Sequence, residues 1–79
     1  MMKNDSTLDI ISHQSIIPKD EINIDDSLAS IGIDSLKMVK LIVALEDGLD
    51  ITFDDSDLDP SQLQTVRSII DLVEKYKIN

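Results

Sequence analysis

From Asp34 to Asp47 the chain carries neither glycine nor proline, and its apolar residues recur at the three- and four-residue steps of an α-helix. Asp34 or Ser35 can cap its start, and Gly48 stands where a C-terminal stop is expected. Met38, Leu41, Ile42, Leu45 and Leu49 form one apolar stripe, the natural core face. Leu36, Val39 and Val43 form a second, flanked by Lys40, Glu46 and Asp47. A helix with two stripes is either buried on both sides or keeps one stripe free for partners. Periodicity alone leaves both readings open.

The other segments are arranged around this helix. Asp5-Ser6-Thr7 offers N-cap chemistry, and Leu8, Ile11 and Ile16 follow at roughly helical spacing, which predicts a first helix over 5–16. Pro18 ends it, because the residue before a proline is driven out of the α region. Residues 18–34 form a long polar connection anchored by Ile22, Ile24, Leu28 and Ile31, a pattern that packs rather than floats. Ile51-Thr52-Phe53 reads as briefly extended, and a short helical turn is predicted over 55–59. Thr65 caps a last helix whose face is Val66, Ile69, Ile70, Val73 and Tyr76, with Lys75 and Lys77 at its negative end.

With two Gly and two Pro in 79 residues, a loop-rich fold is disfavoured, so the expected class is all-α, as one domain over 1–79. A chain of this length buries only about 60% of its unfolded surface, so its stability is expected to be marginal. The absence of cysteine excludes disulfides and thiolate-bound metal as reinforcement. No secretory h-region and no apolar run near the ~20 residues of a membrane span are read here, so a cytoplasmic location is expected, without membrane partners. Sixteen acidic residues against seven basic ones give a net charge of -9, which repels nucleic acid and anionic lipid. One Phe, one Tyr and no Trp make an aromatic-lined substrate pocket a poor expectation.

The chemistry concentrates in Ile31-Gly32-Ile33-Asp34-Ser35-Leu36. A serine hydroxyl at a helix N-terminus lies beside free backbone N–H groups and the positive dipole end, which favour a phosphate. The plain alternative is that Asp34 and Ser35 only cap the helix. A lipase-type nucleophile elbow needs Gly-x-Ser-x-Gly, and its two glycine positions hold Ile33 and Lys37. His13, the lone histidine, would have to be the base, so a triad is not supported. Asp55-Ser56-Asp57-Leu58-Asp59 matches the start of an EF-hand loop, but Pro60 and Val66 stand where its Gly and Glu belong, so no metal site is expected.

Gly32-Ile33-Asp34-Ser35-Leu36 resembles the Gly-x-Asp-Ser-Leu signature of the acyl carrier protein family. The resemblance continues through Val39, Leu41-Ile42-Val43-Ala44-Leu45-Glu46 and Leu49, and resumes at Thr65-Val66. It implies a bundle of three main helices plus a short one, and a non-enzymatic, monomeric carrier. It also implies 4′-phosphopantetheine on Ser35, with Asp34 in the attachment motif. Partners would be a phosphopantetheinyl transferase, a loading ligase or adenylation enzyme, and an acyltransferase or ketosynthase. Leu36, Lys37, Val39, Lys40, Val43, Glu46 and Asp47 would form the docking surface. Fatty-acid carriers typically have acidic residues where Lys37 and Lys40 stand, and the stretch 53–65 also departs from their pattern. The lysines imply a different choice of docking partner, and the stretch 53–65 resembles discrete carriers of amino acids or unusual starter acids in polyketide and nonribosomal pathways. The alternatives are a housekeeping fatty-acid carrier and an unmodified helical interaction module.

Overall fold

The computed structural model describes residues 3–77. Helix α1 spans Lys3–Gln14, two residues earlier at each end than the periodicity predicts. Thr7 is therefore not a cap but a buried residue inside the helix, beside the fully buried Ile11. Ile16 lies beyond α1 and is 72% exposed, so it leaves the predicted stripe. The connection to α2 contains two single 3₁₀ turns, Lys19–Glu21 and Ala29–Ile31. Leu28 and Ile31 anchor it in the core, while Ile22 is only partly buried and Ile24 is 38% exposed.

Helix α2 spans Ser35–Leu49. Asp34 is its N-cap, and the carboxylate accepts the Lys37 N–H at 2.9 Å. Gly48 is not the stop: the helix runs through it and ends where Asp50 takes the left-handed conformation at φ 55°, its N–H bonded to the Glu46 carbonyl. Gly48 instead faces α1, where a Cβ would come within 3.0 Å of Ile10 Cδ1. Of the predicted core stripe, Leu41 and Leu45 are fully buried and Met38, Ile42 and Leu49 pack partly against the core. The second stripe is not buried, with Leu36, Val39 and Val43 exposed at 67%, 62% and 58%.

Residues 51–53 form no strand, but Phe53 is buried and meets the Tyr76 ring edge-on at 5.0 Å. The short fourth helix is a single 3₁₀ turn, Asp55–Asp57, capped by the Asp54 carboxylate. Helix α3 spans Val66–Lys77. Thr65 Oγ1 accepts the Ser68 N–H and Ser68 Oγ accepts the Thr65 N–H, both at 3.1 Å, a reciprocal cap built with serine in the place of the usual Glu. Val66, Ile69, Ile70 and Val73 are buried as the face predicts. Helix α1 packs against both α2 and α3, so the described residues form an all-α bundle with three main helices.

Candidate functional site at the start of the second helix

Three restraints fix the approach to Ser35. Gly32 adopts φ 87° and closes the 3₁₀ turn, its N–H on the Ala29 carbonyl. Ile33 is buried at 3% and donates its N–H to the Leu28 carbonyl at 2.9 Å. Ile16 donates to the Ile31 carbonyl at 2.9 Å, and its side chain lies so close to Gly32 that a Cβ there would stand 2.6 Å from Ile16 Cγ2. The chain is thus anchored immediately before Asp34, and Ser35 emerges as the first residue of α2.

Ser35 is exposed, and its hydroxyl makes no hydrogen bond among the described residues. The hydroxyls of Ser27, Ser30, Ser56, Ser61 and Ser68, by contrast, are committed to backbone or carboxylate partners. Asp34 spends its carboxylate on the α2 cap, which makes its role here one of orienting the first turn. Beside them lies an open apolar groove of about 660 Å³, lined by Leu28, Ile33, Met38, Ile42, Leu58 and Leu63 as well as by Asp34 and Ser35. Val39 and Val43 also line it, so the groove is continuous with the exposed stripe of α2. A hydroxyl that is free, held at a helix start and open to solvent suits a phosphodiester bearing a long arm.

The remaining predicted site residues divide in two. Leu36, Val39, Lys40, Val43 and Asp47 are exposed, and Lys37 is half-buried rather than fully exposed. Glu46 differs: it is half-buried, and its carboxylate turns inward to accept the Phe53 N–H at 2.9 Å. Glu46 therefore holds the segment after α2 in place, and Asp47 is the acid left on the surface at that end. His13 is exposed in the last turn of α1.

The acidic run does not gather into a cation site: no cluster of potential metal-ligating residues occurs among the described residues. Its carboxylates act within the fold. Hydrogen bonds from Ser56 hold the Asp54 carboxyl below its ordinary value, and those from Ser61 do the same for Asp59. Asp57 is lowered by hydrogen bonds from Lys75 and then Tyr76, and the same contact raises both partners. Tyr76 also accepts the Asp54 N–H at 2.8 Å, so one phenol pins the turn 54–57 to the end of α3. This latch and the groove were not legible as sites in the sequence, since each joins segments far apart in the chain.

Residues 7–73 match the family model described as "Phosphopantetheine attachment site". An acyl carrier protein of Syntrophobacter fumaroxidans (strain DSM 10017 / MPOB) is 36% identical over 74 residues, covering 89% of this chain and 85% of that protein. The fold is also similar to a chain in the crystal structure of engineered Bradyrhizobium japonicum glycine:[carrier protein] ligase complexed with carrier protein from Agrobacterium tumefaciens and ATP. That likeness has a TM-score of 0.78 at 27% identity and covers 91% of this chain and 96% of the other. The cofactor is accordingly 4′-phosphopantetheine, held covalently. A capped helix start with a free serine, an adjoining apolar groove and these likenesses lead to one conclusion: the chain belongs to the phosphopantetheine-attachment family of acyl carrier proteins.

Proposed function

We propose that Ser35 is the attachment residue, and that the chain is a non-enzymatic, discrete carrier of aminoacyl groups or unusual acyl starters in a polyketide or nonribosomal pathway. The observation that carries the assignment of Ser35 is its uncommitted hydroxyl at the first position of α2, beside the groove. In the modification, Ser35 Oγ loses its proton and bonds to the pantetheine-bearing phosphorus of coenzyme A, and adenosine 3′,5′-bisphosphate leaves. When bound, the arm supplies the thiol on which cargo rides as a thioester.

The chain's own residues hold and present. The Asp34 carboxylate fixes the first turn through the Lys37 N–H, and the positive end of the α2 dipole offsets the phosphodiester charge. Ile33 and Gly32 keep the attachment point from wandering. Tethering then delivers cargo to successive active sites at high effective concentration. Leu36, Lys37, Val39, Lys40, Val43 and Asp47 form the surface offered to the phosphopantetheinyl transferase, to the loading ligase or adenylation enzyme, and to an acyltransferase or ketosynthase. The similarity to the ligase–carrier crystal structure supports aminoacyl loading.

Intact mass after incubation with coenzyme A and a broad-specificity phosphopantetheinyl transferase tests the assignment. The expected result is a gain of one phosphopantetheine, absent in Ser35→Ala, with the circular dichroism of the two proteins alike. A gain that persists in Ser35→Ala rules out Ser35, and no gain in either protein leaves the unmodified interaction module as the better account. For the cargo, the holo protein is offered glycine with ATP and a glycine:[carrier protein] ligase, and malonyl-coenzyme A with a malonyltransferase. A glycyl thioester supports the aminoacyl reading; a malonyl thioester alone favours carriage of a malonyl extender over an aminoacyl or starter cargo.

A further inference from the structure

On the exposed face of α2, Leu36, Lys40, Val43 and Asp47 follow at four-, three- and four-residue steps, with Val39 alongside. Lys40 therefore stands within the apolar stripe rather than at its edge, and Lys37 lies one turn earlier on its flank. Neither lysine takes part in an ion pair among the described residues, whereas Arg67 is paired to Asp25 at 2.8 Å and Lys75 to Asp57 at 2.7 Å. In a chain of net charge -9, two cations left unpaired beside a solvent-facing apolar stripe are not explained by stability. The nearby acids do not neutralise them. The Asp34 carboxylate faces the Lys37 backbone N–H, and Glu46 is turned to Phe53. Asp47 lies seven residues from Lys40, about 10 Å along the helix axis, roughly one Debye length at physiological salt.

We infer that this face seats a partner whose docking patch is apolar and carries carboxylates placed to meet Lys40 and Lys37. The inference rests on the reading of α2 as a docking surface and names the chemistry of what docks there. Leu36, Val39 and Val43 supply apolar contact, and the two lysines decide which partner is accepted. A patch of the opposite sign would set like charges against Lys40 in the middle of the contact, where such a mismatch discriminates most strongly. Beyond this patch the chain is acidic, so a partner acidic over its whole surface is repelled at long range. Recognition is therefore local: the carboxylates cluster at the seat.

The test uses the ¹⁵N-labelled full chain at about 0.15 M salt, where charge beyond roughly 8 Å is screened. It is titrated with a short amphipathic helical peptide of leucine and glutamate, and with the same peptide carrying lysine for each glutamate. The glutamate peptide is expected to shift the amides of Leu36, Val39, Lys40 and Val43. The lysine peptide is expected to act on the acidic segment 54–59 instead. In Lys37→Glu with Lys40→Glu the preference at α2 reverses, with a change in relative affinity on the order of tenfold, the size of two surface charge reversals. Lys40→Glu alone, at an exposed position, gives the same direction without touching the half-buried Lys37. The inference is overturned if the lysine peptide takes α2 in the unmodified chain, if the glutamate peptide leaves α2 unshifted, or if the variants keep the original preference. Ser35 takes no part in this titration, so its outcome is separate from that of the mass experiment.

Discussion

Replacing Gly32 by alanine separates the backbone that precedes Ser35 from everything else in the fold. Two costs are legible. Gly32 holds φ 87°, and an L-residue in the left-handed region loses roughly 1–2 kcal/mol. The new Cβ would also stand 2.6 Å from Ile16 Cγ2, 3.1 Å from Cγ1 and 3.3 Å from Cβ. Because Ile16 Cβ is itself among these atoms, rotating the side chain does not clear the space; residue 16 must move, against its hydrogen bond to Ile31. Overpacking of this kind costs about 1–3 kcal/mol. The sum is about 2–5 kcal/mol, a large part of the roughly 4–12 kcal/mol expected for a chain of this size. In urea unfolding with a slope of ~1 kcal/mol per molar, the midpoint should fall by about 2–5 M. Gly48→Ala is the control. Its Cβ meets Ile10 Cδ1 at 3.0 Å, the tip of a flexible side chain, with Cγ1 in ordinary contact at 3.8 Å, and alanine within a helix gains up to about 1 kcal/mol. It should be neutral or stabilising. A loss of less than about 1 kcal/mol in Gly32→Ala, or no difference between the two variants, would refute the claim that the Ile16–Gly32 contact fixes this turn.

Two further outcomes follow from the caps and the latch. Thr65→Ala removes the acceptor for the Ser68 N–H and should cost about 1 kcal/mol in urea unfolding, while Thr65→Ser should restore most of it. Asp57 has its carboxyl lowered by Lys75 and Tyr76, so its contribution to stability is complete above its unfolded value and is lost as pH falls through the lowered native one. Lys75 is raised by the same contact, so its share is complete below its unfolded value and is lost as pH rises through the raised one. The difference in thermal midpoint between the unmodified chain and Asp57→Asn should therefore be level from about pH 5 to about pH 9.5 and shrink on both sides. A difference that persists unchanged at about pH 3 would contradict the latch.

What could be read from the sequence was whatever a single segment encodes. The stripes of α2 separate into buried Leu41 and Leu45 and exposed Leu36, Val39 and Val43 because helical spacing alone assigns residues to faces. The caps at Asp34 and Thr65 were legible for the same reason, since donor and acceptor lie three residues apart. Gly48 misled because glycine after an apolar helical run usually marks the stop. Here its missing side chain serves the approach of Ile10, and Asp50, a short polar residue that tolerates the left-handed region, ends the helix. Glu46 read as a surface acid because nothing local reveals that its partner is the Phe53 N–H. The Tyr76–Asp57 and Arg67–Asp25 contacts span 19 and 42 residues and leave no periodic trace. The groove beside Ser35 is likewise a product of assembly, walled by the first connection, α2 and the segment 58–64.

The first connection is tied to the start of α3 by three main-chain hydrogen bonds, Leu28 N–H to the Gln64 carbonyl, Val66 N–H to Asp26 and Arg67 N–H to Ile24, beside the Arg67–Asp25 ion pair. Every amino acid brings a carbonyl, so these ties survive substitution at residues 24 and 26, and only a proline at 66 or 67 would delete a donor from this end of the helix. The route of the chain toward Ser35 is thereby less dependent on the side chains at 24 and 26, while Leu28 and Ile31 anchor it in the core. Residues such as Ile24 and Asp26 can change as partners change while the serine stays where it is. On the proposed reading, in which Ser35 bears the arm and several enzymes dock, that separation lets the outer surface drift under selection without disturbing the attachment point.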